Sequence, residues 1–136
     1  MFISLGRGPI LAKSQKQRVV SKSSAEAELI GTSDIASLLA WEQDFMTYQG
    51  YKDEVHPATL HEDNTSAMHL AKNGRSTSDR MRHIRLRYFF VKQFLDNGQF
   101  VMTYCPTDCM IADILTKPLQ GDLFTRLRDL LLGYAI

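Results

Sequence analysis

The first 25 residues contain neither Asp nor Glu, so that stretch offers no carboxylate to a cation. Cysteine is nearly as scarce. The two present, Cys105 and Cys109, stand four apart with no second pair and no nearby His, which excludes a zinc site of ordinary ligand spacing. They read as structural or incidental thiols, and in an intracellular chain no disulfide between them is expected. No apolar run approaches the roughly 20 residues of a membrane span, and Met1 to Ala12 is too weakly apolar for a signal peptide. The expectation is an intracellular chain with no membrane partner. There is no internal repeat and no low-complexity tract.

What is present fits a single compact domain: 136 residues, of which 44% are hydrophobic. The formal charge of +1 conceals a strong segregation. Residues 1 to 22 hold Arg7, Lys13, Lys16, Arg18 and Lys22 without an acid, and residues 23 to 62 then hold eight acids against Lys52 alone. The sign reverses again from Lys72 to Lys92, where Arg75, Arg80, Arg82, Arg85 and Arg87 face only Asp79. Basic stretches flanking acidic ones suit a polyanion held beside metal ions, and equally suit solvated helix faces.

Weak alternation over Phe2 to Leu5 and Ile10 to Val20, around Gly6-Arg7-Gly8-Pro9, predicts a hairpin. Ser23-Ser24-Ala25-Glu26 has capping-box spacing and opens an amphipathic helix to about Gln49, stopped by Gly50. A strand end over Thr59 to Glu62 follows Pro57. Asn64 then caps a short helix reaching Asn73-Gly74. Ile84, Tyr88, Val91 and Leu95 mark a further helix ending near Asn97-Gly98. Gln99 to Tyr104 alternates as a strand, a short helix runs through Ala112 to Thr116, and Leu123, Phe124, Leu127, Leu130 and Leu131 form a last amphipathic helix. This order predicts an α/β fold, a mixed sheet flanked by helices.

Three acids stand out. On a 3.6-residue helix Glu28 aligns with Ile35, Leu39 and Met46, which predicts a carboxylate on the core side, while Glu26 serves the cap. Asp63 falls at a strand-to-helix junction, where α/β folds collect ligands, although Asp63-Asn64 also reads simply as a helix start. Asp113 points away from Ile111 and Leu115, and by pattern is plain surface. His83, alone at a helix start, reads as structural rather than as a proton shuttle or ligand.

Five ordered blocks cover almost the whole chain: the strand-turn-strand start with Ser14-Gln15-Lys16-Gln17, Ser23 to Glu28, Asp63 to Ala67, Arg82-His83-Ile84 with Arg87-Tyr88, and Ala112 to Leu119. Together they resemble the ribonuclease H domain that ends the polyprotein of copia-type LTR retrotransposons. The resemblance implies a ribonuclease H-like sheet occupying residues 1–136 as one domain, with a strand hairpin over 1–22, the core over 23–119 and a C-terminal helix over 120–136. It matches Glu28, Asp63 and Asp113 to the family's second, third and fourth metal ligands. The first ligand, an Asp on the central strand, lies upstream of the segment matching Phe2-Ile3-Ser4-Leu5-Gly6, so the chain reads as an N-terminally truncated domain.

The same resemblance makes Asn64, Thr65 and Ser66 substrate-binding residues, and the basic stretch adds Arg82 and Arg85. Arg82 replaces a usual Lys, and Glu62 replaces a common Cys. The implied cofactor is Mg2+ or Mn2+, two ions in the intact family. The implied substrate is RNA in an RNA/DNA hybrid, with reverse transcriptase and integrase as neighbours in one polyprotein and a cytoplasmic retroelement particle or the nucleus as location. The alternative is an inactive or co-opted nucleic-acid-binding remnant.

Overall fold

The computed structural model describes residues 1–18, 20–21, 23–73 and 82–134, with the backbone alone at 82–84. Lys22, Arg75, Arg80 and the loop expected around 75–79 lie outside the described residues. The elements in chain order are β1 (Phe2–Ile3), β2 (Leu11–Ala12), α1 (Ser24–Tyr48), α2 (Lys52–Val55), β3 (Ala58–Glu62), α3 (Thr65–Asn73), α4 (Arg82–Asp96), β4 (Phe100–Tyr104), 3-10 turns at Thr107–Cys109 and Ile111–Leu115, and α5 (Gly121–Leu131). They fall into two compact units, residues 17–104 and residues 1–16 with 105–136. No described helix is long and apolar enough to cross a membrane.

In the larger unit, α1 begins where its sequence says it should: Ser23 is extended and its Oγ accepts the Glu26 amide at 3.2 Å. The helix ends before Gly50, whose φ of +93° suits a residue without a Cβ. Ser23→Ala leaves that amide without its capping partner. It is expected to lower stability by about 0.5–1.5 kcal/mol and to speed amide exchange in the first turn of α1 alone.

Strands β3 and β4 pair in parallel, Ala58 with Phe100, Leu60 with Met102 and Glu62 with Tyr104. A parallel pair needs a crossover, and α3 and α4 supply it. One sheet face is covered, with Leu60, Glu62, Phe100 and Met102 buried, while Thr59, His61, Val101 and Thr103 on the other are exposed. Helix α1 packs on α3 and α4, burying Leu29, Ile30, Ala36 and Leu39, and α4 contributes Tyr88 and Val91. Arg87 ties α4 to α1 by donating to the Asp34 carboxylate and to the Ile30 carbonyl.

The smaller unit holds the antiparallel β1–β2 hairpin, which is shorter than the alternation predicts. Past Ala12, Lys13 and Lys16 are exposed, and among the described residues no strand offers that stretch a ladder. The described strands form two two-stranded sheets where a single mixed sheet is expected. In the same unit α5 packs on the second 3-10 turn, Leu127 is fully buried, and Gly133 lies so close to Gly8 that a Cβ would meet its amide nitrogen at 3.0 Å.

Candidate functional site

In the larger unit Glu62 ends β3, with Asp63 next to it in the chain and Glu28 in the first turns of α1. Alternation along β3 turns Leu60 and Glu62 to the covered face, and only 6% of Glu62 is exposed. Its Oε1 accepts the Asn64 amide at 3.1 Å, and its Oε2 accepts the Thr32 hydroxyl at 3.3 Å. Thr32 stands one turn after Glu28, whose backbone carbonyl its hydroxyl also approaches at 3.0 Å. Burial raises the Glu62 carboxyl above the ordinary carboxylate range, and the negative charges of Glu28 and Asp63 add to that; the Asn64 and Thr32 hydrogen bonds oppose it. Glu28 and Asp63 are thus close enough to be felt electrostatically at Glu62.

Asp63 is half-buried at the strand-to-helix junction, as its sequence context predicts. Asn64 Oδ1 accepts the Ala67 amide at 3.1 Å, so this side chain caps α3. Thr65 and Ser66 are exposed on the first turn of that helix. Arg85 is exposed on α4, whereas the side chains of Arg82 and His83 lie outside the described residues.

Two sequence expectations are corrected. Glu28 is exposed, not on the core side. Over 25 residues the buried face of α1 winds round, from Leu29, Ile30 and Ser33 to Leu39 and Gln43, because successive turns meet different neighbours; a stripe extrapolated from the far end misplaces Glu28. Asp113, expected at the surface, is buried at 7% exposure in the smaller unit. Its segment is a 3-10 turn with three residues per turn, so the α-helical wheel assigns it the wrong side. Its Oδ2 accepts Lys117 Nζ at 2.6 Å.

Glu62 is the residue that sequence reasoning passed over. The signal was available: strand alternation places it on the same face as Leu60.

Carboxylate oxygens are the donors that Mg2+ prefers, so the chemistry of Glu28, Glu62 and Asp63 fits a hard divalent cation. Their spacing is looser than a coordination shell. Among the described residues no group of three or more His, Cys, Asp or Glu side chains is gathered tightly enough to hold a metal ion.

Because folding raises the Glu62 carboxyl, its proton is bound more tightly in the native state than in the unfolded chain. Its contribution is fully present below the ordinary carboxylate value and is lost as pH rises through the folded value. Glu62→Gln is therefore expected to melt higher than the parent at pH 7, with the gap closing as pH falls toward 4. A gap that is constant across this range would show that Glu62 is not strained by its charge.

The larger unit thus pairs two parallel strands through a helical crossover and sets Glu62 and Asp63 at the end of one of them, the end at which α/β folds collect ligands. The relatives are more specific. Over 123 residues, 90% of this chain, it is 36% identical to the retrovirus-related Pol polyprotein from transposon RE2 of Arabidopsis thaliana and 33% identical to that from transposon RE1 of the same plant. Over the same length it is 27% identical to the Pol polyprotein from transposon TNT 1-94 of Nicotiana tabacum. The chain spans only 8–9% of the length of these relatives. No family model matches it. No solved structure matches it either.

Proposed function

We propose that this chain is a ribonuclease H-type segment of a copia-like Pol polyprotein, acting on RNA in RNA/DNA hybrids. The observation that supports the reading most is that the chain's relatives are retrovirus-related Pol polyproteins over 90% of its length, with Glu62 and Asp63 placed at the end of β3. Glu28 and Asp63 would hold Mg2+ or Mn2+, two ions in the intact family; the resemblance also matches Asp113, in the smaller unit, to a metal ligand. Once bound, such ions supply an activated water and stabilisation of the leaving oxygen.

The remaining work falls to this chain's own groups. The exposed hydroxyls of Thr65 and Ser66 would face the ribose 2′-hydroxyls by which a protein tells RNA from DNA. Asn64 would hold the first turn of α3 in place for them. Arg85, and Arg82 by its sequence position, would meet backbone phosphate. Reverse transcriptase and integrase parts of one polyprotein are the proposed neighbours, in an intracellular retroelement particle or the nucleus.

The second reading is a binding remnant without catalysis. One observation favours it: among the described residues, no three ligands gather tightly. It predicts hybrid binding that weakens with salt and ignores Mg2+.

The deciding experiment follows release of RNA fragments from a labelled hybrid with Mg2+ or Mn2+, with Asp63→Asn alongside. Cleavage lost in the variant supports the nuclease reading. Cleavage that appears only when a preceding strand bearing Asp is supplied places the missing ligand upstream. Salt-sensitive binding without cleavage under either condition favours the remnant.

A further inference from the structure

Helix α1 carries a second face that the core does not use. Leu38, Trp41, Phe45 and Tyr48 are spaced 3, 4 and 3, the spacing of a two-heptad seam, and all four are exposed, Trp41 to 67% and Tyr48 to 90%. They lie opposite the buried Leu39 and Gln43. Trp41 and Phe45 already stack on each other, ring centroids 5.8 Å apart. Four large apolar side chains in one stripe form a contiguous patch, unlike the single scattered exposures that need no explanation.

Charge decides what would cover it. Asp44, exposed, borders the stripe within a turn of Trp41 and Tyr48, whereas Glu42 on its other side is buried at 8% exposure. Asp53 and Glu54 follow on α2, both exposed, and Lys52 is the only cation between residues 23 and 62. A nucleic acid would bring its phosphates against these acids. A second copy would do no better, since it brings the same exposed acids, Asp44, Asp53 and Glu54, against their own kind.

We propose that the Leu38–Tyr48 stripe of α1 is a docking surface for a basic amphipathic helix of a partner polypeptide, its apolar residues at 3–4 spacing flanked by Lys or Arg. Such a helix buries the aromatic seam and meets the acids at its flanking positions. The surface is independent of the acids at the end of β3, so it stands or falls apart from the nuclease reading.

Trp41 is the only tryptophan in the chain, and its emission reports on this face directly. The probe is an 18-residue Leu/Lys peptide with leucines at 3–4 spacing, compared with a Leu/Glu peptide of the same pattern. A saturable blue shift is expected with the Leu/Lys peptide only, weakened about tenfold by Asp44→Lys and by Phe45→Ala. Both substitutions are at exposed positions, and far-UV circular dichroism checks that α1 is intact.

Equal shifts with both peptides would mean unspecific adsorption and would overturn the proposal. So would the absence of any shift, or a response to an RNA/DNA hybrid in place of the peptide. A shift that follows protein concentration alone, with a dimer in sedimentation, would assign the face to a second copy and overturn it equally.

Discussion

Replacing Gln43 with alanine is expected to lower the unfolding free energy by about 2–4 kcal/mol. Gln43 is 1% exposed in the middle of α1. Its Nε2 donates to the Val55 carbonyl at 2.9 Å and to the Gln99 carbonyl at 3.2 Å, and lies 3.3 Å from His56 Nδ1. Those two carbonyls stand at the entrances to β3 and β4, where the Ala58 amide also donates to Gln99. One side chain thus pins the helix to the point where the parallel strands begin.

Alanine removes both donors and opens a cavity; Gln43→Met fills the space but leaves the carbonyls short. Urea unfolding separates the two contributions. Methionine recovering most of the loss would make packing the main effect, and methionine matching alanine would make hydrogen bonding the main effect. Loss of less than about 0.5 kcal/mol in both variants would contradict this role for Gln43.

The second large effect is on chemistry. On the proposed nuclease reading, Asp63→Asn is expected to cut metal-dependent release of RNA from a hybrid by about 100-fold or more, because an amide contributes no negative charge to a divalent cation. Melting curves and circular dichroism on the same variant separate a loss of chemistry from a loss of fold. An Asp63→Asn variant that cleaves at parental rate would remove Asp63 from the site.

Local rules made most of the elements legible. Ser23, Gly50, Asn64 and Gly98 mark helix starts and stops through caps and positive φ, which depend only on nearby residues. The alternation of Phe100 and Met102 likewise gave β4 its buried face. The errors came where the periodicity itself was in question. Asp113 was misassigned because a 3-10 turn was read with α-helical period, and Glu28 because a long helix changes neighbours along its length. The long second strand of the hairpin failed for another reason: a strand past Ala12 needs a partner ladder, and alternation says nothing about whether one exists.

By itself, then, the sequence determined the order and caps of the elements, the three acids matched by the resemblance, and the segregation of charge. Tertiary structure decided the rest. It brought Glu62 into the neighbourhood of Glu28 and Asp63, buried Asp113 against Lys117's charge, made Gln43 a junction between helix and strands, and left the aromatic stripe of α1 outside the core. The physical reason is range. Caps and periods are set within a turn or two of chain, whereas burial and electrostatic neighbourhood depend on which distant segment packs alongside.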